Sequence, residues 1–318
     1  MKRIVARCMT ALCLTLFINA AQACWLFCAP STYTQTRYPI VLVHGMFAFD
    51  SIAGVNLFYQ IPEDLRANGA TVFVAQVSAL NSPEVRGEQL VRQIDEVLAI
   101  TGAQKVNLIG QSHGSPTIRY AAAVAPQKVA SVTSIGGPVK GAPIADLIQG
   151  VRDIPGFGPL AEPVIVSIVN AIGRIITLIS GNQKLPQDSI AGLESVTRAG
   201  IAQFNSRYPQ AVPASECGEG DYVVNGVRYY SWSGGTAATR NLDPLDYFAV
   251  TTALVFRGEP NDSLIASCSS HLGQVIRDDY RMNHYDETNQ TLGLVSLLEA
   301  NPKAVYRQHA NRLKQAGL

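Results

Sequence analysis

An excess of charge of either sign is missing from this 318-residue chain: 25 Lys and Arg stand against 24 Asp and Glu, a formal net charge of +1. No basic run offsets that balance, so the electrostatic footprint that nucleic acid requires is excluded. Repeated units and low-complexity tracts are also missing, which excludes a solenoid or a disordered tail. The sequence has neither a phosphate-cradling glycine loop nor an HExxH helix, and the chemistry those motifs support is set aside. Histidine numbers only five and cysteine six. Apolar residues are plentiful, 47% of the chain against 15% charged, enough for the core of one large domain or of two small ones.

Lys2, Arg3 and Arg7 precede an apolar run that reaches Leu16 and Phe17, and Ala21-Gln22-Ala23 supplies the small residues signal peptidase prefers. The run is shorter than the roughly 20 apolar residues a bilayer span needs. Residues 1–23 are therefore expected to be a cleaved export signal, with 24–318 as a single domain. Cleavage makes Cys24 the first mature residue and open to acylation, so an outer-membrane lipoprotein is the alternative. It also leaves Cys24, Cys28, Cys217 and Cys268, an even number that suits an oxidising compartment. Of the three possible pairings, Cys217 with Cys268 is favoured because both lie in the C-terminal half. Cys24 and Cys28 pair locally or stay reactive.

Buried strands are expected at Tyr38 to His44, Thr71 to Val77, Val106 to Gly110 and Val129 to Ile135, each an apolar run bounded by turn residues. Between them Val85 to Ile100 places Leu90, Val91, Ile94, Val97 and Leu98 at helical spacing, and Thr117 to Val124 continues as a helix that Pro126 ends. Strand and helix alternate, which implies a mostly parallel sheet covered on both faces. Later strands are expected at Val223 to Trp232, around the turn Asn225-Gly226, and at Ala253 to Phe256. Ala304 to Lys314 is a closing surface helix. Val164 to Ile179, with glycines at 156, 158, 173 and 181 in and around it as candidate hinges, is too apolar for an ordinary covering helix. It reads as a buried core helix or as a lid within about residues 145–181, with an apolar underside.

Gly110-Gln111-Ser112-His113-Gly114 lies between a strand and a helix, the setting of a nucleophile elbow. The turn is sharp, and glycines on both sides let strand and helix approach. Serine is a poor nucleophile at neutral pH, so Ser112 needs an imidazole to take its proton and a carboxylate to orient that imidazole, following it in the order acid, then histidine. Of the histidines beyond Ser112, His309 sits in the terminal helix among Arg307, Arg312 and Lys314 as a solvated side chain. His271 opens an apolar, helix-like stretch where capping or packing accounts for it. His284, in the polar loop Arg281 to Asp286, is left as the base. Asp262 follows the strand near Phe256, where the acid belongs; Asp243 and Asp246 compete with it. The oxyanion hole needs two backbone N–H groups. His113, directly after the nucleophile, supplies one, and His44-Gly45-Met46 places the Met46 N–H as the second.

Tyr38 to Met46, Gly110 to Gly114, Val85 to Leu90, Tyr280 to Glu287 and Tyr306 to Leu313 together resemble the secreted triacylglycerol lipases of the Pseudomonas and Burkholderia type, which are α/β hydrolases. The likeness runs from about Ser31 to the C-terminus. It implies Ser112, Asp262 and His284 as the triad, Cys217–Cys268 as a disulfide and the Val164 to Ile179 region as a lid. It further implies one structural calcium ion, held by the Asp243 and Asp286 carboxylates and by the carbonyls of Gln290 and Leu294. Oxygen-only ligands suit that hard ion. A membrane-anchored foldase and type II secretion are implied partners, and the protein is expected to act as a monomer. Two departures stand out: Gln111 replaces a common histidine and Ser115 a common glycine, which bears on acyl preference or elbow packing.

The expected activity is hydrolysis of acylglycerol esters through an acyl-enzyme at oil–water interfaces. The rivals are an esterase for short soluble esters and a non-catalytic surface protein that keeps the fold and binds lipid.

Overall fold

Ile40–Val43, Val106–Gln111 and Val129–Ile135 carry apolar residues on both sides of the chain, and every residue in them is buried. That is the composition of strands inside a parallel sheet. The computed structural model describes residues 30–46, 51–52, 55–152, 185–239 and 243–318. The expected signal, Cys24, Cys28 and the Val164 to Ile179 segment lie outside the described residues.

In chain order, strand β1 (Ile40–Val43) is followed by a short hairpin, β2 (Ser51–Ile52) and β3 (Val55–Asn56), then by helix α1 (Ile61–Ala67) and β4 (Val72–Val74). Helix α2 (Pro83–Thr101), β5 (Val106–Gln111), helix α3 (Gly114–Val124) and β6 (Val129–Ile135) continue the alternation. Helices α4 (Pro143–Arg152), α5 (Ser189–Val196) and α6 (Arg198–Arg207) precede the hairpin β7 (Val223–Val224) and β8 (Val227–Gly234). Helix α7 (Pro244–Ala253), β9 (Gln274–Tyr280) and α8 (Pro302–Gln315) complete the chain. The main sheet runs β4-β1-β5-β6-β8, with β9 and β7 both paired to β8; only the β7–β8 pairing is antiparallel.

Alternation along each strand divides the core. Val41, Val43, Leu108 and Val132 point to one face and meet Leu90 and Ile94 of α2 and Ile118 and Ala121 of α3. Ile40, Leu42, Ile109 and Trp232 point to the other and meet Ile61 and Leu65 of α1 and Val305, Tyr306 and Ala310 of α8. Full burial of a side chain such as Leu65 or Val305 stabilises the fold by roughly 1.5–3 kcal/mol. Helix α2 starts where Ser82 Oγ accepts from the Val85 N–H with Pro83 in the first turn, and ends at Gly102 in a left-handed conformation. Cys217 and Cys268 form a disulfide across 51 residues, a closure that removes up to roughly 4 kcal/mol of unfolded-chain freedom on the entropic view.

Three expectations are corrected. Ala253 to Phe256 is not a strand: Asp243 caps a helix whose first residue is Pro244, and the chain stays helical through Ala253 and then a 3-10 turn, Leu254–Phe256. The apolar run Leu254-Val255-Phe256 mimics a strand, but the cap and proline upstream decide the outcome. The strand beside β8 is instead β9, whose charged Arg277, Asp278 and Asp279 disguise it and suit an edge position. His271 opens no helix. It follows the 3-10 turn Cys268–Ser270 and leads into β9, with Nε2 2.9 Å from Asp278 Oδ2 and Nδ1 3.0 Å from Gly218 O. His309 does lie on the terminal helix, but on its inner face, 1% exposed and 2.7 Å from Thr133 Oγ1. Helical spacing puts it on the buried stripe with Val305, Tyr306 and Leu313.

Candidate active site

Strand β5 delivers Ser112 to a turn that ordinary residues avoid: its φ is +56°. Left-handed backbone at a non-glycine residue is strained and persists only where its surroundings impose it. Here Ser112 N–H donates to Ile135 O at 2.9 Å, which ties the turn to β6. The flanking glycines are sterically required. A Cβ on Gly110 would stand 2.5 Å from Gly114 O, and one on Gly114 would stand 2.3 Å from Val43 O. The departure at Ser115 is absorbed by a 2.7 Å hydrogen bond between its Oγ and Ser134 Oγ.

Ser112 and His284 line the same cavity, about 570 Å³, together with Gly45, Met46 and His113 and the apolar Ala142, Ile144, Ile148, Leu193, Val196 and Ile265. His284 Nδ1 is 2.8 Å from Asp262 Oδ2, and the Asp262 side chain is fully buried. The other Asp262 oxygen accepts from the N–H groups of Leu264 at 2.9 Å and Ile265 at 2.7 Å. The backbones join as well, His284 N–H donating to Asp262 O at 2.7 Å. A carboxylate fixed this firmly orients the ring, leaving Nε2 as the nitrogen not engaged by Asp262.

The competitors for the acid are placed elsewhere. Asp243 caps α7 through the Leu245 N–H at 2.8 Å. Asp246 accepts from Thr239 N–H at 2.7 Å and from Asn283 Nδ2 at 2.8 Å.

Electrostatics sets His284 apart from the buried His113 and His44. Burial works to lower the His284 pKa, but the Asp262 carboxylate, its hydrogen bond and the Glu287 carboxylate outweigh it and raise the pKa to about 9. Burial and the Arg86 guanidinium hold the His113 ring neutral, well below the ordinary histidine range. His44 falls to about 3 for the same two reasons.

Three further residues belong to the site's framework. Glu287 is buried 3.7 Å from His284 Nδ1, accepts from Gly234 N–H at 2.9 Å, and is pushed upward in pKa by burial and by Asp262. Arg86 is buried, donating to His44 O at 2.5 Å, Gly45 O at 3.3 Å and His113 Nδ1 at 2.7 Å. Ser195 Oγ lies 2.9 Å from His113 Nε2. Arg86 was open to detection, since it falls on the same stripe of α2 as Pro83, Leu90, Ile94 and Val97. A charge on the apolar face of a helix calls for a buried partner. Glu287 and Ser195 carry no comparable local signal.

Among the described residues one grouping has the spacing to hold an ion, and a second, looser set of carboxylates contains the acids expected for calcium. Ligand atoms of Asp262, His284 and Glu287 lie within 4.8 Å of one another, although this grouping already has the hydrogen bonds described above. The second comprises Asp286 with Asp243 and Asp246 nearby. Burial, then those two carboxylates, raises the Asp286 pKa to about 7. Asp286 Oδ1 is buried without a hydrogen-bond partner among the described residues. Gln290 and Leu294 follow at a turn in which Thr291 and Leu292 both take positive φ, 53° and 58°.

Comparison with known proteins places the chain in a family. The model of the alpha/beta hydrolase fold family matches residues 38–288. A triacylglycerol lipase of Vibrio cholerae serotype O1 is 59% identical over 286 residues, covering 90% of this chain and 90% of its own. One from Pseudomonas fragi is 43% identical, covering 89% and 98%. Among solved structures, the Staphylococcus hyicus lipase superposes with a TM-score of 0.60 at 17% identity, covering 88% of this chain and 97% of that one, a likeness of fold.

Proposed function

The chain belongs to the α/β-hydrolase family and, within it, to the bacterial triacylglycerol lipases, and on that footing we propose that it hydrolyses acylglycerol esters through an acyl-enzyme on Ser112. The observation that carries this reading is the strained Ser112 in an apolar cavity that His284, paired with a buried Asp262, also lines.

The Ser112 hydroxyl attacks the ester carbonyl carbon as its proton passes to His284 Nε2. Charge gathers on the carbonyl oxygen, where the backbone N–H groups of Met46 and His113 receive it. The carbon–oxygen bond to the glycerol moiety then breaks, and His284 returns the proton to the departing oxygen. Water, deprotonated by the same ring, attacks the acyl-enzyme; the fatty acid leaves and the serine hydroxyl is restored. Asp262 keeps Nδ1 protonated and stabilises the imidazolium between steps. The apolar walls accept the acyl chain.

We infer that one structural calcium ion is held by the Asp243 and Asp286 carboxylates with the Gln290 and Leu294 carbonyls. The donors are all hard oxygens, and Asp286 has a buried oxygen without another partner among the described residues. When bound, the ion neutralises clustered carboxylates and braces the loop carrying His284, two residues before Asp286. Residues 1–23 act as the export signal, a membrane-anchored foldase assists folding, and type II secretion then carries the protein outward. No helix among the described residues is long and apolar enough to cross a membrane.

The test is hydrolysis of tributyrin and of a long-chain triglyceride by the wild type and Ser112→Ala. The wild type should cleave both, and the variant should lose at least about 10⁴-fold in kcat. An active Ser112→Ala would end the nucleophile assignment. Cleavage of short soluble esters alone would make the protein an esterase.

A further inference from the structure

Arg86 contacts both parts of the proposed oxyanion hole. It grips the carbonyls of His44 and Gly45, immediately before Met46, and the ring of His113. Guanidinium nitrogens only donate, so His113 Nδ1 must accept, and the proton of the neutral ring sits on Nε2. That N–H donates to Ser195 Oγ at 2.9 Å, and the Ser195 hydroxyl donates onward to Gly192 O at 2.6 Å. Every proton in this chain of hydrogen bonds has one direction, ending on α5.

Helix α5 also forms part of the cavity. Leu193 and Val196, on either side of Ser195, line it. Val196 belongs to the apolar cluster of Ala142, Ala145 and Ile265 against which Met46 packs. One helix thus shares an apolar cluster with Met46 and is joined to His113 by a hydrogen bond.

We propose that Ser195 is a positioning residue for the oxyanion donors, fixing the His113 ring and thereby coupling the cavity wall on α5 to the two N–H groups that receive the developing charge. The proposal rests on the assignment of Ser112 as nucleophile and of Met46 and His113 as oxyanion donors. Its consequence is confined to charged tetrahedral states, because the ground-state ester places little charge in the hole.

The experiment uses full-length protein, p-nitrophenyl butyrate as substrate and butylboronic acid as probe. The boron gains the Ser112 oxygen while the serine proton passes to His284, giving a tetrahedral anion. Ser195→Ala should lower kcat about tenfold, leave KM within about twofold, and weaken boronate binding by the same factor as kcat. Ser195→Cys, of similar volume but a weak hydrogen-bonding partner, should fall in between and supplies the measurement if the alanine variant does not fold. An unchanged kcat, or a lower kcat with boronate affinity intact, would overturn the role of Ser195. Activity surviving in Ser112→Ala would instead overturn the nucleophile assignment.

Discussion

Gln111 Nε2 donates to the backbone carbonyl of His284 at 3.1 Å, joining the residue before Ser112 to one 173 positions later. The same nitrogen is 3.2 Å from Glu287 Oε2. A single buried amide therefore sets the separation between the elbow and the loop that carries His284. Gln111→Ala leaves two buried acceptors short of a donor, at a cost of about 1–3 kcal/mol. The thermal midpoint should drop by roughly 2–10 °C, and kcat by about tenfold as His284 loses its register with Ser112. Calorimetry and steady-state kinetics on the variant test this; unchanged values would mean water substitutes for the amide.

The pH profile follows from the ring's surroundings. Burial lowers the His284 pKa, but Asp262 and Glu287 raise it to about 9 overall. A base must be neutral to accept the serine proton, so kcat/KM on a soluble ester should climb about tenfold per pH unit below that value and level off near it. Burial and Asp262 push the Glu287 pKa to about 8, and where Glu287 is ionised its charge adds to the rise at His284, so Glu287→Gln should move the upper part of the rising limb toward acid. A limb that stays put, or moves toward alkali, contradicts the role given to Glu287.

The sequence discloses those parts of the fold whose signal is local. The strands from Ile40, Val106 and Val129 and the helix from Pro83 announce themselves by apolar periodicity, because their burial is uniform or confined to one stripe. Ser112 and His284 emerge from a motif and from elimination among few histidines, and the fold brings both to one cavity. Failures occur where tertiary context overrides composition. Leu254-Val255-Phe256 looks like strand but continues a capped helix, whereas the charged Arg277-Asp278-Asp279 looks like loop but forms the strand beside β8. Glu287 and Ser195 take their meaning from partners far along the chain, Gly234 at 53 positions and His113 at 82. No periodicity encodes such pairings.

His309 gives the fold a defined acid sensitivity. Burial, then Arg312, lowers its pKa to about 3. An Arg312 nitrogen donates to Nδ1 at 3.2 Å, so Nε2–H donates to Thr133 Oγ1. The unfolded chain binds a proton below pH ~6.5 and the folded protein does not until about pH 3. The stabilisation is complete above the unfolded value and is lost as pH falls toward the folded one, at up to about 1.4 kcal/mol per pH unit for this residue. Urea unfolding between pH 7 and pH 4 should show that slope reduced by up to one proton in His309→Gln. An identical slope in variant and wild type would place the proton uptake elsewhere.

Calcium should act on stability before it acts on chemistry. Asp286 lies two residues after His284, and its carboxylate is buried among those of Asp246 and Asp243. Without a cation, that repulsion acts on the loop holding the base. Chelation with EGTA should therefore lower the thermal midpoint and, as the loop loosens, activity. Added calcium at about 100 times its Kd should return about 2.7 kcal/mol by mass action. Asp286→Asn removes one ligand charge and part of the repulsion, so its midpoint should respond weakly to either treatment. Differential scanning calorimetry of wild type and variant, with calcium and with EGTA, distinguishes the cases. A wild-type midpoint indifferent to EGTA would leave the carboxylates sharing protons rather than a metal ion.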